Sequence, residues 1–119
     1  MDRSEQKLSY IIRYLIFCAE KKNFLQYDDM RKIFGVSGEQ LGMYAGKVGD
    51  YCRREGLPPL NALIVNSSGS VGDGWVDWSK AVYKTAPLTW EKAVNECFKI
   101  YHVPQGTDRF KPYNDVLIP

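Results

Sequence analysis

Between Tyr27 and Trp75 the chain carries stop signals so closely spaced that only short elements, in one order, fit between them. Tyr27-Asp28-Asp29-Met30-Arg31-Lys32-Ile33-Phe34 reads as a short helix whose first turn holds two acids, as the helix dipole favours. Gly35-Val36 makes a turn. Ser37 and Gln40 then have the spacing of a capping box, so a second helix opens there and runs to about Glu55. Gly56 suits its C-terminal cap, and Pro58-Pro59 forbids continuation. Leu60 to Val65 is rich in β-formers and bounded by turn residues, so it is expected to be a strand. Asn66-Ser67-Ser68-Gly69 turns it back into a glycine-broken return arm, Ser70 to Trp75.

Two helices flank this unit. The first is expected from an N-cap at Ser4 to about Lys22, with Leu8, Ile11, Ile12, Leu15, Ile16 and Ala19 recurring every three or four residues. Lys21 and Lys22 close it near the negative end of its dipole. Phe24 to Tyr27 is an extended link. The last helix spans Thr89 to Tyr101 and buries Trp90, Ala93, Val94, Cys97 and Tyr101. His102 to Pro119 has three prolines and no helical period. It is expected to be a strap or a partly disordered tail. The fold class is therefore α+β and mostly helical: a winged helix-turn-helix with a small β-hairpin and an added C-terminal helix. Residues 1–102 form one winged-helix-like domain, and 103–119 follow as the strap or tail.

At 119 residues the chain can bury one core without staples. Its 45% hydrophobic and 25% charged residues are ordinary for a globular protein. A net charge of +2 and a pI near 8.4 neither require nor exclude a nucleic-acid partner. Cys18, Cys52 and Cys97 are far apart, no Cys-x-x-Cys pair exists, and His102 is the single histidine, so no zinc site is expected. Cys18 and Cys52 fall on apolar stripes and read as buried thiols in a reducing compartment. The longest apolar run, Tyr14 to Ala19, is too short to span a bilayer. The polar N-terminus is unlike a signal peptide. A cytoplasmic protein with no membrane partner and no cofactor is expected.

The second helix of the motif buries Leu41, Ala45, Val48 and Cys52, with Tyr44 and Tyr51 at the margin. Gly38, Gly42, Gly46 and Gly49 fall within a sector of about 80° beside that face. The last three together cost roughly 2.5–3 kcal/mol against alanine. Either another helix packs closely on the stripe or a ligand approaches it closely. The outer face carries Glu39, Met43, Lys47, Asp50, Arg53 and Arg54, and Arg31, Lys32, Lys21 and Lys22 could add to it. Arginine suits phosphate or guanine because its fork is bidentate. Arg53 and Arg54 are equally well explained as a solvated helix end. The candidate nucleic-acid-binding residues are Arg31, Lys32, Gly42, Met43, Gly46, Lys47, Arg53, Arg54, Ser67 and Ser68.

Residues 8–75 resemble the C-terminal domain of the alkylguanine-DNA alkyltransferases and alkyltransferase-like proteins. The resemblance rests on the order of elements and on the Asn66-Ser67-Ser68-Gly69 turn, which matches that family's Asn-Ser-x-Gly. It implies a second helix rich in small residues that enters the minor groove of duplex DNA. The family's Pro-Cys-His-Arg motif would fall near Pro59 to Leu63, where this chain has Pro59-Leu60-Asn61-Ala62-Leu63. The nucleophile, base and arginine are missing, so the resemblance implies a DNA-binding shell without alkyl transfer.

Histidine, cysteine or paired carboxylates converging on a pocket, the usual needs of an enzyme, cannot be assembled from this sequence. Gly72-Asp73-Gly74 is incomplete as a phosphate loop and reads as a turn. The expected function is non-enzymatic binding of duplex DNA through the second helix and the wing. The alternative is a small protein-binding module, an inhibitor, immunity or adaptor protein, anchored by Trp75, Trp78, Trp90, Tyr83, Phe110 and Tyr113.

Overall fold

A computed structural model describes residues 2–85 and 88–102. Its element order is α1 (Arg3–Glu20), β1 (Leu25–Gln26), α2 (Tyr27–Phe34), α3 (Leu41–Arg54), β2 (Ile64–Val65), α4 (Asp73–Val82) and α5 (Trp90–Tyr101). Single 3-10 turns at Gly38–Gln40 and Leu60–Leu63 precede α3 and β2. The architecture is mostly helical, with one two-stranded parallel sheet that pairs Leu25 with Ile64 and Gln26 with Val65. The expected tail, 103–119, lies outside the described residues.

The local chemistry sets the boundaries. Asp2, two residues earlier than the expected Ser4, caps α1 by accepting from the Glu5 amide at 2.8 Å. The helix ends at Glu20, so Lys21 and Lys22 lie just past it. Gly35 ends α2 in the left-handed region at φ 66°, a conformation glycine adopts without a Cβ penalty. Ser37 and Gln40 form the capping box that opens the next helix, whose first turn is 3-10. At the far end of α3 the amide of Leu57 reaches the Cys52 carbonyl at 2.7 Å and that of Gly56 reaches Arg53. These two bonds and the positive φ of Gly56 make a Schellman motif, which satisfies carbonyls the helix leaves open.

The core differs from the expectation at one place. Leu60 to Val65 was expected to be a strand, but only Ile64 and Val65 are extended. Leu60–Leu63 coil into a 3-10 turn that is buried throughout and packs against α1, α3 and α5. An apolar run of this length fits a buried helical turn as well as a strand, and burial on every side removes the alternation that would tell them apart. The return arm touches β2 only through a bridge between Val65 and Val71. The expected hairpin is thus reduced to a turn closed by one bridge. The arm then becomes α4, an element absent from the sequence reading, so two helices follow the turn where one was expected.

Candidate nucleic-acid interface

Helix α3 carries most of the candidate residues, and its two long faces are sharply divided. Tyr44, Ala45, Val48, Gly49, Tyr51 and Cys52 are buried, whereas Gly42, Met43, Lys47, Asp50, Arg53 and Arg54 are exposed. This is the division that helical spacing implies, except that Leu41, expected in the core, is half-buried, while Tyr44 and Tyr51, expected at the margin, are buried. The glycine stripe is split along its length. A Cβ on Gly49 would stand 2.5 Å from the Trp78 ring and 2.6 Å from the Asn61 amide nitrogen. A Cβ on Gly46 would meet Trp78 at an ordinary 3.9 Å, while one on Gly38 or Gly42 would meet nothing within 4 Å among the described residues. The C-terminal half of the stripe is therefore a packing surface for α4. Its N-terminal half is bare.

Trp78 also reaches the outer face of α3. Its indole N–H donates to Asp50 Oδ1 at 3.0 Å, which engages the acid nearest the middle of that face. Arg53 lies on the α4 side, close enough to Tyr83 to act on its phenol. Burial raises the Tyr83 pKa, and the Arg53 charge opposes that rise. Arg54 turns the other way and places its guanidinium 5.5 Å from the Tyr51 ring centroid, with Glu55 3.7 Å from its Nε. The two arginines thus diverge around α4. Lys47 and Arg54 share the open side with Met43, which is 44% exposed.

Arg31 and Lys32 stand beside the α2–α3 turn, where they line a shallow depression with Asp28, Gly35, Val36 and Ser37. Arg31 sits 3.9 Å from Asp28, a loose and exposed pair. At the turn after β2, Asn66 Oδ1 accepts from the amides of Ser68 and Ser70 and from both their hydroxyls, at 2.6 to 3.1 Å. Gly69, at φ 80°, closes it. The Ser68 hydroxyl is accordingly held inside the turn, and Ser67 is exposed at its tip.

The stretch from Pro59 to Leu63 is buried in the core. Asn61 is 2% exposed, and Leu60, Ala62 and Leu63 are fully buried. Trp90 donates its indole N–H to the Ala62 carbonyl at 2.8 Å, and the Cys97 thiol donates to the Pro59 carbonyl. All three cysteines are buried. Desolvation pushes the Cys18 thiol up to about 11 and the Cys52 thiol up to about 12, and raises Cys97 as well. Gly72 and Gly74 are explained by Tyr27, whose ring would lie 2.7 Å from a Cβ on Gly72 and whose hydroxyl would lie 2.7 Å from one on Gly74. They open α4 under that ring, with Gly72 as its N-cap, rather than forming a free turn.

Of the aromatic anchors expected for a protein partner, Trp75 is buried. Trp78, Trp90 and Tyr83 are half-buried, while Phe110 and Tyr113 lie outside the described residues. The contact of Trp78 with α3 was not read from the sequence. The spacing of Trp75, Trp78 and Val82 held a helical period that could have signalled α4. No helix among the described residues is long and apolar enough to cross a membrane. No group of three His, Cys, Asp or Glu side chains among them could hold a metal ion. Compared with protein-family models, curated proteins and solved structures, the chain matches none.

Proposed function

We propose that this protein binds duplex DNA without covalent chemistry, through the N-terminal half of α3 and the Asn66–Ser70 turn. On this reading α2, the Gly35–Ser37 turn and α3 are a helix-turn-helix, and the turn after β2 is a small wing. Gly42 is the observation that carries it. An exposed helical glycine costs roughly 0.8–1 kcal/mol against alanine, and among the described residues no atom lies within 4 Å of where its Cβ would stand. Close approach of a ligand offsets such a cost. Helix-turn-helix proteins read bases with the first turns of the second helix, where Gly42 lies. Lys47, Arg54, Arg31 and Lys32 supply cations for phosphates around that bare surface.

The resemblance to the alkyltransferase-like proteins supports the same reading and suggests the minor groove. The burial of Leu60, Asn61 and Ala62 argues against transfer chemistry, since Leu60 stands where the resemblance would put the nucleophile and is fully buried. Fluorescence anisotropy on a labelled duplex, titrated with salt, tests the proposal. Binding should weaken steeply with salt and should fall at least tenfold on Gly42→Leu with the melting temperature retained. Absence of duplex binding at low salt would remove the reading.

A further inference from the structure

The outer face of α1 meets the surface above at one end only, where Lys7 donates to the Gly35 carbonyl at 3.5 Å. The buried sides of α1 and α3 pack on each other and on the Leu60–Leu63 turn between them. The outer face of α1 is composed of Lys7, Tyr10, Arg13, Tyr14, Phe17 and Lys21, which recur every three or four residues and so form one ridge. Tyr10 is 54% and Phe17 41% exposed, both unusual for side chains of this size. The helix's own carboxylates are elsewhere: Glu5 lies on the far side of the helix and Glu20 is buried.

We infer that this ridge is the docking site for an acidic amphipathic segment of a protein partner, with apolar residues meeting Tyr10 and Phe17 and carboxylates meeting Lys7, Arg13 and Lys21. Charge is the first argument. Among the described residues none of the three cations lies within ion-pair distance of a carboxylate, although Asp28 and Asp29 on neighbouring α2 are available. The Arg13 Nε is buried without a hydrogen-bond partner among the described residues. Lys7 donates to the Gly35 carbonyl at 3.5 Å and Lys21 sits over the Phe17 ring, so all three cations lack a carboxylate partner among the described residues, and with the greasy strip they suit a partner that brings both acids and apolar groups.

Ring geometry chooses a protein over a nucleic acid. Single-stranded nucleic acids need open ring faces on which bases stack. Here Tyr14 leans on Phe17 at 6.3 Å and meets Phe34 edge-on at 5.7 Å. The Lys21 ammonium sits 4.8 Å from the Phe17 ring centroid. The Tyr14 and Phe17 rings are thus engaged by neighbouring rings and by an ammonium group, which leaves less open face for a base to stack on than a nucleic-acid platform needs. From Lys7 to Lys21 the ridge is about 21 Å long at 1.5 Å per residue, which matches four turns of a bound helix.

The test is selection from a display library of random 16-residue peptides on the full-length protein, followed by anisotropy of the enriched peptides. Enriched sequences are expected to combine Asp or Glu with Leu, Ile or Phe at helical spacing. Their affinity should drop at least tenfold on the paired change Tyr10→Ser with Phe17→Ser. It should lose part of its salt dependence on Arg13→Gln, with unchanged melting temperature and duplex DNA binding as the folding and separation controls. Peptides without acidic bias, or peptides indifferent to both the paired change and Arg13→Gln, would overturn the inference. Two other findings would do so by naming a different occupant: a single-stranded oligonucleotide that binds the ridge more tightly than the peptides, or a self-dimer abolished by the Tyr10 and Phe17 changes.

Discussion

Gly42 and Gly49 lie in the same sector of α3, seven residues apart, and their surroundings are opposite. Behind Gly49 the Trp78 ring and the Asn61 amide leave no room for a methyl group. Gly49→Ala should therefore destabilise the fold by about 1–3 kcal/mol, the usual range for overpacking a tight site. Gly42→Ala meets open space and should stabilise by roughly 0.8–1 kcal/mol, the propensity difference alone. Chemical denaturation of the two variants checks both signs. A destabilised Gly42→Ala would mean that α3 is not bare there. The buried thiols give a further expectation at this scale. Their folded pKa values lie above the ordinary 9.0, so the unfolded chain releases thiol protons first as pH rises. Stability from these groups is fully present below pH 9 and is lost progressively up to about 11 for Cys18 and about 12 for Cys52. Melting temperatures recorded from pH 7 to 11 should decline in that window, and Cys52→Ala should flatten the decline.

Among the elements, α4 decides how much of α3 a partner can reach. Its Trp78 covers Gly46 and Gly49 and holds Asp50, which leaves the early turns as the open part of the helix. Trp78→Ala removes a half-buried ring and should cost about 2–3 kcal/mol, near the low end for tryptophan truncation. The same change makes room behind Gly49. In a double-mutant cycle Gly49→Ala should therefore be less harmful in the Trp78→Ala background than alone, by at least 1 kcal/mol or so. Strict additivity would mean that the ring is not what excludes the methyl group. This is also the scale at which the sequence was hardest to read. The range of α2 and the ends of α3 were legible because Gly35, the Ser37–Gln40 box and Gly56 each impose a local geometry that no tertiary contact needs to enforce. The 60–63 turn and α4 were not. Leu60-Asn61-Ala62-Leu63 takes its shape from burial between three helices, and Gly72-Asp73-Gly74 looks like a loop until Tyr27 is seen lying over it.

For the molecule as a whole, a net charge of +2 supplies little general attraction for DNA. Any duplex affinity must come from the local arrangement of cations, and here the candidate surface is mixed. Lys47, Arg53, Arg54, Arg31 and Lys32 surround it, while Glu39 and Asp28 are exposed close by and Asp50 is tied to Trp78. Each phosphate contact contributes about 0.9 to the slope of log affinity against log salt. Five cations at most set the slope near −4 to −5, and a slope of about −2 to −3 follows if Arg53 and one α2 residue face elsewhere. Lys47→Ala and Arg54→Ala, which remove the pair on the open side, should lower the magnitude of the slope by about 0.9 each and by about 1.8 together. Arg53→Ala, on the α4 side, should change it less. Anisotropy with one duplex at four or five salt concentrations measures all of these. If the double variant keeps the parent's slope, the phosphates are gripped elsewhere and α3 is not the DNA-facing helix. If instead the slope falls as expected while the α1 variants Tyr10→Ser and Phe17→Ser leave it untouched, the molecule has two separate working faces, one electrostatic and short-ranged on α3, the other aromatic on α1.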